Sequence, residues 1–232
     1  MKLYRFPGST ACRPVELFCA EAGIKYEPEV IDILAGKQFE APYSTINPTG
    51  VVPTLVDGDL VLGESSAILK YLADKVGSPA YPKDLKQRAK VNEMLDWWNS
   101  NFYREYGYNF IYPQTLQHIK LDTEQGTKDL VARGQRNATR LLGVVDRNFL
   151  GDGRKFLCGN EYTIADAFGA GILAIGDWIG QSFADFPNVD RWLKNVMARP
   201  SWKAVEQDHK NLAGFFSAGK YSKIAPEART AG

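Results

Sequence analysis

One proline-containing stretch, residues 47–58 (NPTGVVPTLVDG), constrains the fold of this chain more than any other. Its first half carries Pro48 and Gly50, which predict a turn, and Pro53 follows just before an apolar run. Proline has no N–H to donate to a sheet, so at this place it marks the start of a strand. Only about 5–6% of X–Pro bonds in folded proteins are cis, so the stretch alone does not predict the isomer of Val52–Pro53.

The same stretch continues into a predicted β-hairpin. Two apolar runs, 54–56 and 60–62, are separated by Asp-Gly-Asp, which are residue types of a tight turn. A helix is predicted over residues 64–75, because its apolar residues recur at helical spacing and form one buried stripe.

Strand and helix signals also alternate upstream of the hairpin. Residues 2–6 and 26–33 have β character, and apolar residues recur at helical spacing over 12–22, with Gly23 as the expected helix stop. Residues 35–44 form a weaker helical or irregular piece. The order β-α-β-α-β-β-α predicts an α/β domain built on a mixed four-stranded sheet.

Strand signals almost vanish after residue 76. Residues 77–85 are rich in proline and lack periodicity, which predicts a linker. Helices are predicted at five places: 86–106, 123–148, 163–179, 188–198 and 201–207. The third is almost free of charge and is expected to be buried on all sides, whereas the tail after residue 207 has no clear period. We therefore predict an α/β domain over 1–76, a linker over 77–85 and an all-helical domain over 86–232.

Charge and cysteine content exclude several classes of function. The formal net charge is +1, so nothing favours nucleic acid or an anionic membrane surface as a partner. Three cysteines without a C-x-x-C pair and two distant histidines predict neither a disulfide framework nor a metal site. The first residues do not resemble a signal peptide, and no apolar run approaches the ~20 residues of a membrane span. We expect a cytoplasmic protein.

Hydroxyl side chains stand at three predicted helix starts. Ser9 and Thr10 precede the first helix, where unpaired N–H groups and the helix dipole favour an anion; alternatively, either residue only caps the helix. Glu64 and Ser65 open the helix after the hairpin, with the same two interpretations. Residues 163–166 (Thr-Ile-Ala-Asp) have capping-box spacing, which favours a structural role.

An aromatic cluster between residues 97 and 112 is too dense for one buried stripe. Part of it must be core, and the surplus is expected either to line an apolar pocket facing the first domain or to form a subunit contact. The residues predicted for the pocket are Tyr103, Arg104, Tyr106 and Tyr108.

Together these motifs resemble the cytosolic glutathione transferases over residues 2–202. Leu-Tyr at 3–4, followed by Ser-Thr-Ala-Cys-Arg-Pro-Val at 9–15, is similar to the theta-class signature, in which a serine meets the thiol. Three further segments resemble the glutathione-binding motifs of the family: Asn47-Pro48, Val52–Leu55 and Glu64-Ser65. The resemblance implies a thioredoxin-like first domain, a helical second domain and a homodimer. It also implies that glutathione, as co-substrate, is added to a hydrophobic electrophile without a metal.

The resemblance assigns roles to particular residues. Ser9 would donate a hydrogen bond to the glutathione sulfur. Val52 would pair its backbone with the cysteinyl part of glutathione, which requires a cis bond to Pro53 and a Val52 backbone free of the sheet. Glu64 and Ser65 would hold the γ-glutamyl end.

Two positions depart from the family pattern. Gln38 stands where a theta-class histidine approaches the glycine carboxylate, although glutamine can still donate to that carboxylate. Val51 replaces a polar or basic residue. Asp96 or Asn99 would reach the γ-glutamyl amine bound in the partner subunit.

The sequence thus predicts a homodimeric, theta-like glutathione transferase, and three alternatives remain open. One is a glutathione-dependent dehalogenase or ether-cleaving lyase with a specific small substrate. Another is a non-catalytic protein that binds glutathione or apolar ligands. The third is a reductase working through Cys12, although a cysteine at this place is expected to point into the domain as a small hydrophobe.

Overall fold

Four short strands form one sheet in the computed structural model, which describes residues 1–225 of the 232-residue chain. They are β1 (Lys2–Arg5), β2 (Glu27–Val30), β3 (Thr54–Asp57) and β4 (Leu60–Leu62), in the spatial order β2-β1-β3-β4. β1 runs parallel to β2 and antiparallel to β3, and β3 pairs with β4 in an antiparallel hairpin. The predicted mixed four-stranded sheet is confirmed.

Two helices connect these strands, α1 (Cys12–Ala22) and α2 (Tyr43–Ile46), and a third, α3 (Ser65–Lys75), follows β4. α1 ends as predicted, because Gly23 adopts a φ of 65° and its N–H donates to the carbonyl of Cys19. β2 is shorter than the predicted run 26–33, because its partner β1 ends at Arg5, opposite Val30.

The second part of the described chain is helical. It contains α4 (Leu85–Trp97), a wide π-type continuation (Trp98–Ile111), α5 (Tyr112–Thr115), α6 (Glu124–Val144) with a π-type end (Val145–Phe149), α7 (Ile164–Leu173) followed by a 3₁₀ turn (Ala174–Ile179), α8 (Pro187–Met197) and α9 (Pro200–Phe216). Every residue of α7 is buried, as its apolar sequence predicted. Within residues 1–225, no helix combines the length and hydropathy that crossing a bilayer needs.

α9 corrects the predicted end of the fifth helical run. It extends to Phe216, nine residues beyond the predicted end at 207, and the prediction found no period there because one of its two buried positions beyond 207 is the polar His209. His209 is buried between Arg13 and Asp177, with its Nε2 at 2.9 Å from Asp177 Oδ2, and Asp208 pairs with Arg5. The tail beyond residue 225 lies outside the described residues.

The sheet layer and the helical part pack together through α1. α1 contacts both α7 and α9, and Arg13 donates to the carbonyl of Gly171 at 3.4 Å. Gly171 permits this approach, because a Cβ there would lie 2.9 Å from the Pro14 ring. The start of α1 is thereby fixed at the edge of a cleft between the two layers.

Candidate functional site

Two adjoining clefts open between the sheet layer and the helical part. They share the start of α1, the loop before β3 and two tyrosines: Thr10, Ala11, Val51, Val52, Tyr103 and Tyr108. The apolar cleft, of about 250 Å³, is further lined by Phe6, Ser9, Leu34, Gln38, Tyr112, His118, Trp178, Leu212 and Phe216, among others. The helix-start cleft, of about 390 Å³, is further lined by Pro53, Glu64, Ser65, Asn99, Ser100 and Arg104, among others.

Ser9 lies where β1 turns into α1. Its Oγ accepts a long hydrogen bond of 3.4 Å from the Cys12 N–H, which is the capping contact, and leaves its own proton available to a ligand. Within residues 1–225, the backbone N–H groups of Thr10 and Ala11 have no acceptor. The first turn of α1 contains no acidic residue. An anion in the adjoining cleft therefore meets free donors and the positive end of a helix dipole.

Cys12 lies directly below this start and is fully buried. Burial raises the pKa of its thiol to about 12, and the nearby Ser9 hydroxyl lowers it by less. The thiol therefore stays protonated near neutral pH and packs as a small hydrophobe. The structural interpretation of Cys12 is confirmed, and the site of the alternative reductase is not accessible.

The start of α3 is joined to the start of α1. The buried Ser65 hydroxyl donates to the carbonyl of Ala11 at 2.7 Å. Glu64, which precedes α3, has a φ of 58°, a backbone conformation that residues other than glycine rarely adopt and that clusters at functional sites. Its exposed side chain and Ser65 both line the helix-start cleft.

The loop before β3 connects these two starts. The Val52–Pro53 bond is cis, as predicted from the resemblance. Val52 lies outside the strand pairing, whose first β1–β3 pair is Tyr4 with Thr54. Asn47 steadies the loop by donating to the carbonyl of Val51 at 2.9 Å. Val52 therefore lines both clefts, and within residues 1–225 its backbone has no sheet partner.

Gln38 enters the apolar cleft from the opposite wall. Its buried Oε1 has no hydrogen-bond partner within residues 1–225, although buried polar atoms are usually paired. A side-chain amide in this state is available to a polar ligand group. Asn99 lies in the helix-start cleft of its own chain, whereas Asp96 lines neither cleft.

Three of the four residues predicted for an apolar pocket line the clefts, and the fourth does not. Tyr103 and Tyr108 lie in both clefts with ring centres 5.2 Å apart, and Arg104 lines the helix-start cleft.

The prediction was wrong for Tyr106, which is fully buried and donates to the carbonyl of Leu173 at 3.3 Å. It continues the i, i+4 stripe of Trp98, Phe102 and Phe110, which are all fully buried, so it belongs to the core.

Tyr112 is a cleft residue that the sequence did not single out. Its hydroxyl donates to Thr10 Oγ1 at 2.9 Å and lies 2.6 Å from the hydroxyl of Tyr103. Burial raises the pKa of both phenols, so both remain neutral donors near neutral pH. Trp178, Leu212 and Phe216 were also missed, because they arrive from distant segments without a local motif.

Two family models together match most of the chain. The model described as "Glutathione S-transferase, N-terminal domain" matches residues 3–80, and "Glutathione S-transferase, C-terminal domain" matches residues 81–200. Glutathione S-transferase D7 of Drosophila melanogaster is 31% identical over 208 residues, which cover 88% of this chain and 87% of that protein. Glutathione S-transferase 2 of Anopheles gambiae is 32% identical over 201 residues, covering 85% and 90%.

Solved structures of similar proteins have the same architecture. A delta-class glutathione transferase of Nilaparvata lugens superposes with a TM-score of 0.78 at 29% identity, covering 94% of this chain and 98% of that chain. A glutathione transferase homolog from Sulfitobacter, solved with bound glutathione, has a TM-score of 0.75 at 23% identity, covering 91% and 98%. The second likeness concerns the fold alone.

Proposed function

The chain belongs to the glutathione S-transferase family, and from this premise we propose that the start of α1 activates the glutathione thiol as a thiolate. As a glutathione transferase, the protein joins that sulfur to an electrophilic small molecule. One observation carries the assignment of the thiol site. The backbone N–H groups of Thr10 and Ala11, the Ser9 hydroxyl and the Val52 backbone, none of which donates to or pairs with a strand within residues 1–225, lie where the two clefts adjoin.

Glutathione is proposed to lie with its γ-glutamyl end in the helix-start cleft, its sulfur at the α1 start and its glycine end in the adjoining apolar cleft. Val52, which pairs with no strand among residues 1–225, offers its backbone to the cysteinyl part as an added strand would. The carboxylate of Glu64 attracts the γ-glutamyl amine, and the start of α3 at Ser65 receives the γ-glutamyl carboxylate. The amide N–H of Gln38 is proposed to donate to the glycine carboxylate. This is supported by the position of Gln38 in the apolar cleft and by its amide oxygen, which no partner among residues 1–225 holds in place.

The hydrogen bond from Ser9 and the helix dipole together stabilise a thiolate enough to ionise glutathione near neutral pH. A thiol with a pKa near 8.5 is only about 3% ionised at pH 7, and lowering that pKa by ~2 units requires ~2.7 kcal/mol. One hydrogen bond to a charged sulfur contributes about 1.5–3 kcal/mol, and the helix end adds up to about 1–2 kcal/mol. Ser9 and the α1 start therefore suffice together.

The thiolate then attacks an electrophile held in the apolar cleft. The sulfur lone pair forms the new carbon–sulfur bond, and the leaving group departs with the electrons of the broken bond. The walls are aromatic and aliphatic side chains, which suit an apolar molecule. The principal ones are Phe6, Leu34, Tyr108, Trp178 and Phe216. Arg104, at the edge of the helix-start cleft, is proposed to face the polar end of the electrophile.

We also propose a theta-like, serine-type class, supported by Ser9 and by the absence of a tyrosine at the α1 start. The solved relative from Nilaparvata lugens is of the delta class, so the class of this chain remains a prediction.

A domain boundary at residues 77–85 is supported by α3 ending at Lys75 and α4 beginning at Leu85. Homodimerisation and a cytoplasmic location are further proposals, the latter supported by three free cysteines.

An assay with a panel of electrophiles tests the proposed function. Retention on immobilised glutathione is expected, followed by conjugation of at least one alkyl halide, aryl halide, epoxide or aryl ether. Turnover restricted to one halide or one ether would favour the dehalogenase or lyase alternative. Retention with no turnover of any compound would favour a ligand-binding protein and contradict the proposal.

A further inference from the structure

We infer that Thr10 is a second hydroxyl donor to the glutathione sulfur and that Tyr112 and Tyr103 position it. This inference rests on the proposed function, because it assumes a thiolate at the start of α1. The observation behind it is a chain of three hydroxyl groups, from Tyr103 through Tyr112 to Thr10, that ends where the two clefts adjoin.

The direction of the hydrogen bonds in this chain follows from counting protons. Each hydroxyl has one proton to donate and can accept further bonds. The geometry between Tyr112 and Thr10 makes the phenol the donor, at 2.9 Å. Since that proton is used, the 2.6 Å contact between the two phenols requires Tyr103 to donate to Tyr112. Both phenol protons therefore point from Tyr103 towards Thr10.

Within residues 1–225, the Thr10 hydroxyl donates no hydrogen bond of standard geometry, and the protein oxygen that faces it is the Tyr103 hydroxyl. Thr10 is only 3% exposed, so water does not readily supply a better acceptor. A buried hydroxyl without a partner for its proton is unfavourable unless a ligand supplies one. Because Thr10 lines both clefts beside Ser9, the glutathione thiolate is the acceptor that the site would bring to it.

A capping role does not account for Thr10. Within residues 1–225, the backbone N–H that meets a hydroxyl at this helix start belongs to Cys12, and its partner is Ser9 rather than Thr10. The bond from Tyr112 also requires the oxygen of Thr10 to act as an acceptor, which leaves the hydroxyl ready to donate. Bonds in such a chain polarise one another, so the two phenols strengthen the final donor.

The phenols act as neutral donors, and no proton is transferred along the chain. Burial raises the pKa of Tyr103 and Tyr112, so neither ionises in the range where the thiol titrates. The proton lost by glutathione goes to solvent.

Other titratable and charged groups also face this region. They are Arg13, His209 and Asp177 behind α1 and, on the cleft walls, Glu64, Arg104, Tyr108 and His118. Reaction rates can respond to any of these groups as well as to the thiol. The absorbance of the bound thiolate reports ionisation of the sulfur directly, and it is therefore the readout of choice.

The test is a thiolate absorbance titration at saturating glutathione, in the wild type and in variants along the chain. Thr10→Val, which keeps the shape and removes the hydroxyl, should raise the pKa of the bound thiol by about one unit. Thr10→Ser keeps the donor and should remain within about 0.3 unit of the wild type. Tyr112→Phe should raise the pKa by less than Thr10→Val, and Tyr103→Phe by less again.

The double variant Thr10→Val/Tyr112→Phe separates a positioning role from a packing role. If Tyr112 acts only through Thr10, the double variant titrates like Thr10→Val alone. A wild-type pKa in Thr10→Val would overturn the inference while leaving the depressed thiol pKa, and with it the proposed function, intact. If Thr10→Val does not fold, Tyr112→Phe decides, because an unchanged thiol pKa in that variant would also contradict the inference. A thiol pKa that is not depressed in the wild type would reject both.

Discussion

The starts of α1 and α7 carry similar residues and have opposite surroundings. At α7, Asp166 is fully buried and accepts four hydrogen bonds: from the Thr163 N–H and hydroxyl, the Leu157 N–H and the Trp192 indole, all at 2.8–2.9 Å. At α1, Ser9 makes one long capping bond, and two backbone N–H groups beside a cleft have no acceptor in the described part of the chain.

The difference shows what separates a structural helix start from a binding one. At α7 the chain supplies its own anion at the third helical position, so the donors are satisfied and sealed in the core. The first turn of α1 has no acidic residue, so its positive end remains open to an anion from outside. The α1 start is therefore a candidate anion site, whereas the α7 start is already occupied by its own carboxylate.

The largest effect is expected from removing Asp166, which satisfies the donors at the start of α7. Asp166→Ala leaves buried donors of Leu157, Thr163 and Trp192 without an acceptor, and should lower the free energy of unfolding by ~3–5 kcal/mol. Denaturant unfolding measures this loss. Asp190→Ala is the matched control, because its partly exposed pair with Lys194 should contribute less than about 1 kcal/mol. Equal losses in the two variants would refute the structural role of the α7 start.

At the start of α1, a substitution should lower the rate of conjugation rather than the stability of the fold. Ser9→Ala removes a donor to the thiolate and should lower kcat for conjugation tenfold or more, which corresponds to at least about 1.4 kcal/mol. The unfolding free energy should change by less than about 1 kcal/mol, since the lost capping bond is long. Ser182→Ala, an exposed serine away from both clefts, is the control. A wild-type kcat in Ser9→Ala would remove Ser9 from the mechanism.

A smaller effect is expected at the start of α3, where Glu64 is proposed to bind glutathione without contacting the reacting sulfur. Glu64→Gln removes the charge proposed to attract the γ-glutamyl amine, and should raise KM for glutathione by about tenfold with kcat changed less than about twofold. Stability should hardly change, because both residues must adopt the same left-handed backbone. Steady-state kinetics at varied glutathione measures this, with Glu40→Gln as an exposed glutamate outside both clefts. An unchanged KM would place the γ-glutamyl amine elsewhere.

The smallest effects should separate two neighbouring tyrosines. Tyr106→Phe loses a buried hydrogen bond to Leu173 and should lower the unfolding free energy by about 1 kcal/mol without changing kinetics. Tyr108→Phe should leave stability unchanged and alter KM for the electrophile by about two- to fivefold, because Tyr108 is half exposed in the clefts. The reverse pattern would mean that the cleft is lined by the other tyrosine.

Most of the fold could be predicted because the residues that determine each helix and strand are close together in the sequence. The hairpin, the Gly23 stop of α1 and the apolar α7 each depend on residues close in sequence. The end of α9 could not be predicted, because His209 is buried against Arg13, nearly two hundred residues away.

The site could likewise be predicted where its residues belong to local motifs, and not where they come from distant segments. Ser9, Glu64 and Ser65 stand at helix starts that the sequence marks, and the cis bond before Pro53 followed from the resemblance. The bond between Tyr112 and Thr10 joins residues 102 positions apart and leaves no local pattern. Tyr106 was misplaced because a dense aromatic cluster hides which side of the helix each ring takes.

The pKa of the glutathione thiol bound to the wild-type protein, measured by thiolate absorbance, tests the central claim most directly. The open start of α1 should lower it by about two units relative to free glutathione, and Ser9→Ala should recover at least about one of those units. A bound thiol that titrates like free glutathione would contradict the claim that the start of α1 is an anion site for the sulfur.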